Sequence, residues 1–353
     1  MSFDLTQNIR RHGFKRLLLA VSGGLDSICL AHYFIANRER LGIEWLGLAH
    51  VHHGLREGTA DRDAEFVEAF ARKYGVPFFL KKLDGEALKN ADGSLEENAR
   101  DARYKALIEV FNETGDPRLR GNDNKGIIVT AHHAGDQAET MYMRIHRGTT
   151  LAGLRGIQTV RENIYRPFLN VTRGELLTYA RENKLEWCED ESNDDVTFAR
   201  NFTRHKALPH LEETYPGATE QLCRIAGIAD RAYAKVIEAC KGLFDSVLVK
   251  QDPSTPLRFA QDDIHTITLD KKKLNKILRE HADTDLSEMF RLWLSEQGLR
   301  FPIGFFYSPK EPAHVKIPVR AAYRKRSVAK IGRTVRICEF STPEEAQKFV
   351  SCE

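Results

Sequence analysis

Short apolar runs alternate with longer amphipathic stretches along about the first 210 residues of the chain. Four such runs predict strands: RLLLAV (16–21), EWLGLAHVHH (44–53), VPFFLKKL (76–83) and GIIVTAHH (126–133). Helical periodicity follows them, at 28–38, 59–75, 94–115 and 136–148. Ser94 and Glu97 have the spacing of a capping box. Alternating strands and helices are typical of parallel βαβ units, so we predict an α/β fold with a doubly wound parallel sheet.

The pattern changes in the second part of the chain. Helical periodicity covers residues 218–248, and further helices are predicted at 269–281 and 286–298. The stretch 314–340 alternates as edge strands do. We therefore predict two domains. The boundaries are a catalytic domain at 1–212 and a smaller, mainly helical domain at 213–353 that ends in a basic, strand-like segment.

Composition and charge narrow the class of protein. No apolar run is long enough for a membrane span, and the first residues are too polar for a secretory signal. The six cysteines stand singly, as expected of reduced thiols in a cytoplasm. The net charge is only +3, but Lys316–Arg336 contains eight basic residues and no acid. This segment favours a polyanionic partner, with Arg324, Lys325 and Arg326 as leading positions, or else is a solvated basic face.

A glycine loop, SGGLDS, lies between the first predicted strand and its helix. Without Cβ atoms, Gly23 and Gly24 let the backbone approach a ligand, and bare N–H groups at a helix start form an anion cradle. The hydroxyls of Ser22 and Ser27 can add donors, and Asp26 can hold Mg²⁺ that bridges phosphates. The loop matches neither a Walker loop nor a dinucleotide fingerprint. The alternative is an ordinary glycine-rich turn. The predicted cradle comprises Ser22, Gly23, Gly24, Leu25, Asp26 and Ser27.

Charged pairs at helical spacing supply further candidates. Asp136 and Glu139 are three residues apart at a helix start, where one face of the helix could hold ammonium groups or simply stabilise the dipole. Arg100 and Arg103 lie one turn apart and suit phosphates or a carboxylate, or form surface ion pairs with neighbouring glutamates. Arg200 borders the same region, where simple capping is the alternative.

Five histidines fall at the ends of two predicted strands. They are His50, His52, His53, His132 and His133. Such a group suggests a metal cluster, but no cysteine ligand is near, so hydrogen bonding to a nucleotide or base is the favoured interpretation. We expect His133 to face the site.

Six motifs, in order, resemble those of the tRNA(Ile)-lysidine synthetase family of PP-loop ATP pyrophosphatases, over about residues 14–211. They are HVHHGLR (50–56), ENARDARY (97–104), TAHHAGDQAET (130–140), RGTTLAGLRGI (147–157), RPFL (166–169) and DESNDDVTFARNFTRHKALPHL (190–211), and they accompany the SGGLDS loop. The chain departs from many relatives at Gly135, where these have a second acid.

The resemblance implies a cytoplasmic ligase that uses ATP and Mg²⁺. ATP adenylates the wobble cytidine of the CAU-anticodon isoleucine tRNA, and free L-lysine then displaces AMP. By resemblance Ala49 and His50 meet the adenine, and Asp136 and Glu139 recognise lysine and take its proton. In this reaction Arg100, Arg103 and Arg200 suit roles at phosphates or at the lysine carboxylate, because a planar guanidinium group forms paired hydrogen bonds. Analogy with the family suggests a homodimer.

Two other classes are open to the same residues. One is a different pyrophosphatase of this fold, either a tRNA thiolase or an amidotransferase-type synthetase, but the chain has no C-x-x-C pair and no ammonia-producing motif. The other is a non-catalytic RNA-binding module. An intact loop with Asp26 and Ser27 argues against it, because RNA binding alone requires no phosphate cradle.

Overall fold

The computed structural model describes residues 3–54, 59–114, 126–189 and 199–247, the segments 266–270, 325–331 and 334–340, and residues 273, 276, 277, 289 and 293. The chain forms two compact units, residues 1–228 and 229–353. The assignment of a catalytic domain to 1–212 and a tRNA-binding domain to 213–353 stays a prediction.

The first unit has six described strands, which are β1 Arg16–Ala20, β2 Trp45–His52, β3 Phe78–Lys82, β4 Gly126–Val129, β5 Val160–Arg161 and β6 Ile164–Tyr165. Its described helices are α1 Thr6–His12, α2 Leu25–Ala36, α3 Arg38–Leu41, α4 Thr59–Lys73, α5 Gly85–Asn90, α6 Leu95–Glu113, α7 Ala134–His146, α8 Leu151–Leu154, α9 Arg173–Glu182, α10 Ala199–Phe202 and α11 Leu208–Thr214. A π-helical turn, Thr203–Ala207, joins α10 to α11. α12, Ala218–Phe244, begins in this unit and ends in the second.

The six strands form one sheet in the order β3-β2-β1-β4-β6-β5. All neighbours are parallel except β5, which pairs with β6 in the antiparallel sense at the edge. The chain starts at the centre of the sheet and winds outward in both directions. This confirms the predicted α/β fold, and it places the loops after β1, β2, β4 and β6 side by side at the carboxyl edge.

Alternation along the strands gives each face of the sheet its own helices. Leu17 and Leu19 of β1 pack in the cluster that contains the α2 side chains. Leu18 and Ile128 point to the opposite face and pack with Leu107 of α6. Residues that follow β1 and β4 therefore reach either the α2 side or the α6 side of the carboxyl edge.

The predicted capping box of α6 is not formed. Ser94 is the N-cap residue, but its side chain makes no capping hydrogen bond. It is exposed, so water can satisfy its hydroxyl. Two reciprocal capping boxes occur instead at α7, between His133 and Asp136, and at α9, between Thr172 and Glu175. Pattern spacing marks a helix start but does not fix which rotamer closes the cap.

The second unit contains a three-stranded antiparallel sheet in the order β7-β9-β8, with β7 Thr266–Asp270, β8 Lys325–Ile331 and β9 Thr334–Phe340. β8 and β9 lie within the segment predicted to alternate. β7 was missed, and it ends where a helix was predicted to begin; a short run beside a helical pattern is ambiguous by periodicity alone. None of the helices within the described ranges is long and apolar enough to cross a membrane.

Candidate active site

The glycine loop joins β1 to α2 at the carboxyl edge. Gly23 has a φ of +99°, a conformation that favours glycine. Ser27 Oγ accepts hydrogen bonds from the backbone N–H groups of Ser22 (3.1 Å) and Gly23 (3.2 Å), and donates one to the Gly24 carbonyl (2.9 Å). The amides of Ser22 and Gly23 are therefore engaged, which corrects the expectation of a fully bare loop.

The amides that remain to hold an anion belong to the first turn of α2. Gly24 is the N-cap residue and offers no side-chain hydrogen bond. The N–H groups of Leu25, Asp26 and Ser27 precede the first intrahelical donor, Ile28, whose N–H reaches the Gly24 carbonyl at 3.0 Å. Together with the positive end of the helix dipole, these amides form an anion-binding turn.

Asp26 projects from this turn with one carboxylate oxygen, Oδ1, that is buried and makes no hydrogen bond to a described residue. Its other oxygen lies 3.6 Å from His133 Nε2. Burial raises the pKa of Asp26, and the charges of His133 and Arg173 only partly oppose this shift. A hard carboxylate oxygen with no partner among the described residues, beside this turn, is the kind of ligand that would suit Mg²⁺.

The end of β2 is tied to the glycine loop. His50 is buried, and its Nδ1 lies 2.9 Å from the Val21 carbonyl. Burial lowers the pKa of His50. The Ala49 side chain belongs to the core on the α6 side, while its carbonyl accepts a hydrogen bond from Val21 N–H at 2.9 Å. The two predicted adenine contacts thus flank the loop, but their side chains face opposite sides of the sheet.

The two histidines after β4 divide between the two sides of the carboxyl edge. His133 approaches Asp26 and caps α7, where its Nδ1 accepts from Gly135 N–H at 2.9 Å. His132 Nδ1 lies 2.9 Å from Thr130 Oγ1. Burial lowers the pKa of His132 to about 3, and the charges of Arg166 and Arg103 reinforce this shift against Asp136. His132 is therefore neutral at physiological pH.

Asp136 and Glu139 form a buried acid pair on α7, with exposed fractions of 8% and 2%. Arg200 donates from Nε to Glu139 Oε2 and from Nη2 to Asp136 Oδ1, both at 2.9 Å. Arg204 donates to Glu139 Oε1 at 2.6 Å and to Asp136 Oδ1 at 3.3 Å. The pair thus holds two guanidinium ions.

The charge of Asp136 is compensated from several sides. Burial alone would raise the pKa of Asp136, but the neighbouring charges of His133 and Arg200 outweigh it, so the net shift is downward. The His133 backbone N–H also donates to Asp136 Oδ2 at 2.9 Å. His133 thus contacts both Asp26 and Asp136 and connects the anion cradle to the acid pair.

The two predicted arginines of α6 lie beside an aromatic ring. The guanidinium carbons of Arg100 and Arg103 are 5.8 and 5.4 Å from the centre of the Tyr104 ring. Arg100 is exposed and Arg103 is half-buried. No ion pair joins either of them to Glu97, and the Glu96 side chain lies outside the described part of the structure.

Three residues of this region were missed from the sequence. Arg204 was passed over because its position depends on the π-helical turn at Thr203–Ala207, although its spacing of four from Arg200 was a usable signal. Tyr104 and Arg166 lie inside quoted motifs but received no role.

Of the three leading positions in the basic segment, Lys325 and Arg326 are in β8, and Arg324 lies outside the described residues. Within the described ranges, no three His, Cys, Asp or Glu side chains are placed to hold a metal ion.

Fold and site together define an α/β protein with a Ser-Gly-Gly-Leu-Asp-Ser loop between its first strand and the helix that follows, in a position suited to an anionic ligand. The chain belongs to the PP-loop domain family, which matches it over residues 2–211.

Its relatives agree with the motifs. The chain is 32% identical over 277 residues to the bifunctional protein TilS/HprT of Listeria monocytogenes, covering 77% of this chain and 41% of that protein. It is 37% identical over 202 residues to the tRNA(Ile)-lysidine synthase of Clostridium tetani, covering 57% and 41%. The resemblance stated from the motifs is confirmed, although the chain spans less than half the length of these two relatives. The U34-tRNA thiolase NcsA of Methanococcus maripaludis is similar with a TM-score of 0.48 and 17% identity, over 64% of this chain and 78% of that one.

Proposed function

We propose that the chain is a ligase that joins L-lysine to the wobble cytidine of the CAU-anticodon isoleucine tRNA at the expense of ATP. The cytidine O2 attacks the α-phosphorus of ATP and diphosphate leaves. The ε-amine of lysine then attacks C2, the C2–O bond breaks, and AMP leaves with the oxygen. The products are lysidine, AMP and diphosphate. These substrates are found in the cytoplasm, where we infer that the chain acts.

The observation that carries this proposal is the contact of His133 with both Asp26 and Asp136. This contact sets the anion cradle beside the acid pair. A cytosine base bound between them would have the ATP phosphates on one side and the lysine amine on the other. Catalysis of this kind depends mainly on positioning and charge stabilisation. The cradle would hold the leaving diphosphate, with Mg²⁺ on Asp26 neutralising its charge.

The acid pair suits the amine of the second substrate. Asp136 and Glu139 already hold two internal cations, Arg200 and Arg204, which supports a site for positive charge. An ammonium group of lysine would replace part of these contacts. One of the carboxylates can accept the proton that the attacking amine releases.

The thiolase alternative is opposed by Cys188, a cysteine that is hydrogen-bonded to the loop. The backbone N–H of Cys188 donates to the Gly23 carbonyl at 2.9 Å. Burial and a hydrogen bond to Asp63 raise the pKa of its thiol to about 11. A nucleophilic cysteine acts as the thiolate, which such a pKa disfavours at neutral pH.

Incubation with ATP, Mg²⁺, labelled L-lysine and a CAU-anticodon isoleucine tRNA transcript tests the proposal. We expect labelled lysidine after nucleoside analysis, no product with methionine tRNA, and loss of product with Asp26→Asn. Absence of labelled nucleoside from the wild-type reaction, or full activity of Asp26→Asn, would overturn it.

A further inference from the structure

A group of four residues lies outside the glycine loop and the acid pair. We name it the arginine–tyrosine cluster, and it comprises Arg100, Arg103, Tyr104 and Arg166. The first two guanidinium groups lie over the Tyr104 ring. Arg166 follows β6, where its backbone N–H donates to the Thr159 carbonyl at 2.8 Å. The cluster thus joins α6 to the carboxyl edge of the sheet.

The positive charge of this cluster is not neutralised by the described part of the chain. No carboxylate of a described residue lies within 4.0 Å of Arg100, Arg103 or Arg166. Arg166 is only 6% exposed; its Nη1 donates to the Gln158 carbonyl at 3.0 Å, while its Nε has no hydrogen-bond partner there. A buried guanidinium group that finds no counter-charge among the described residues is suited to receive an anion.

Two titratable neighbours report the same positive field. Burial by itself would raise the pKa of Tyr104, but the charges of Arg103 and Arg166 outweigh it and lower that pKa. Burial lowers the pKa of His53 to about 4, and Arg103 contributes further. Both shifts are those expected beside positively charged guanidinium groups.

The cluster lies on the other side of the carboxyl edge from the phosphate cradle. Tyr104 packs against the core that contains Leu18 and Ile128, whereas α2 packs on the opposite face. The charges of Arg166 and Arg103 lower the pKa of His132, whereas His133 contacts Asp26. The acid pair of α7 follows directly, so the three charged groups are consecutive along this edge.

We propose that the arginine–tyrosine cluster binds a phosphodiester group of the RNA substrate next to the nucleotide that is modified. This inference rests on the proposed function, because its ligand is that reaction's RNA. The proposed function assigns the ATP triphosphate to the cradle and the lysine ammonium group to the acid pair. The RNA backbone is then the remaining anionic group that the cluster can bind. Three guanidinium groups exceed the charge of one amino-acid carboxylate, and the cluster extends from buried Arg166 to exposed Arg100, where a polymer can reach it.

The test is a binding cycle between the protein and the RNA. Wild type and Arg103→Gln are titrated with a fluorescent anticodon stem-loop in which single linkages around the wobble position are replaced by neutral methylphosphonates. We expect Arg103→Gln to bind the unmodified RNA about tenfold more weakly and to reduce the slope of log affinity against log salt by about 0.7. At one linkage, neutralisation should weaken the wild type but not the variant any further.

Two further variants keep the result interpretable. Arg72→Gln changes an exposed arginine in the last turn of α4, at the opposite edge of the sheet, and should leave both quantities unchanged. If Arg103→Gln folds poorly, Arg100→Gln takes its place in the test. Arg100 lies at the exposed end of the cluster, and we expect its substitution to lower the RNA affinity and the salt slope in the same way. Lysine KM is measured in parallel at saturating RNA.

Each outcome decides a separate point. A raised lysine KM with unchanged RNA affinity would assign the cluster to the amino-acid carboxylate and overturn the RNA inference. Additive losses of affinity at every linkage would also overturn the RNA inference. If wild type forms lysidine while Arg103→Gln binds RNA normally, only the cluster assignment fails. If wild type forms no lysidine but the cycle is non-additive, the proposed function fails and the anion site stands.

Discussion

At the scale of single residues, the acids of the site differ in how their charge is compensated. Asp26 has one buried oxygen without a partner among the described residues, and burial raises its pKa. Asp136 accepts hydrogen bonds from two guanidinium groups and a backbone amide, and its pKa is lowered. Of these two acids, Asp26 therefore bears the greater electrostatic cost of burial, which a bound cation would relieve.

This difference predicts how stability depends on pH. A carboxyl group whose pKa is raised by folding contributes stability below its unfolded pKa and loses it as the pH rises through the folded value. Asp26→Asn should therefore melt above wild type at pH 7, and the difference should shrink toward pH 4; shifts of about 2–4 °C per kcal/mol are usual. Thermal denaturation across this range checks it. A wild type that is the more stable protein at pH 7 would contradict the assignment.

A second residue-scale prediction concerns the cation site of the acid pair. Arg204→Gln removes three charged hydrogen bonds from carboxylates that Arg200 continues to hold. We expect the free energy of unfolding to fall by about 1–3 kcal/mol. Millimolar L-lysine should then raise the melting temperature more in Arg204→Gln than in wild type, because the vacated oxygens can accept an ammonium group. Norleucine, which lacks the ε-ammonium, is the control, and equal shifts in both proteins would refute the prediction.

At the scale of elements, α7 and α9 begin in the same way but carry different demands. Each has a reciprocal capping box with glycine at its second position, Gly135 in α7 and Gly174 in α9. A Cβ at Gly135 would lie 2.6 Å from His133 Cε1, whereas at Gly174 its nearest neighbour is 4.0 Å away. Gly135 therefore permits the histidine cap.

The two glycines make a matched pair of substitutions. Gly174→Ala should stabilise the protein by about 0.5–1 kcal/mol through helix propensity and leave activity unchanged. Gly135→Ala should gain little stability and lower kcat/KM, because the His133 ring must leave its place beside Asp26. Chemical denaturation and steady-state kinetics measure both variants. Equal activity of the two would show that the position of His133 does not matter.

The elements that could be predicted are those that depend on local pattern. Apolar runs gave the four strands β1 to β4, and the loop context of SGGLDS followed from the strand before it and the helix after it. The histidine cap of α7 was not foreseen because imidazole is an unusual N-cap side chain. The Arg200 and Arg204 contacts were not foreseen because a π-helical turn decides where those side chains reach. Tertiary placement of charge is not encoded in spacing.

At the scale of the whole molecule, the candidate site lies in residues 1–228, while the basic strand β8 belongs to 229–353. RNA binding weakens with salt in proportion to the number of phosphates that cations contact, irrespective of which domain supplies them. The slope of log RNA affinity against log salt concentration is therefore the sum of the contributions of the two units. The predicted tRNA-binding role of the second unit can be tested through its share of that slope.

Replacing Arg324, Lys325 and Arg326 together by alanine should weaken tRNA binding at least tenfold and lower the salt slope by about two to three. Lysine KM at saturating tRNA should not change, because backbone contacts position the RNA without entering the chemistry. The control removes two exposed cations at the end of α9, Arg181→Ala with Lys184→Ala, and should leave the slope intact. Filter binding at several salt concentrations provides the comparison. If the triple variant keeps wild-type affinity and slope, the basic segment is a solvated face, and the tRNA contacts of the chain must come from other residues.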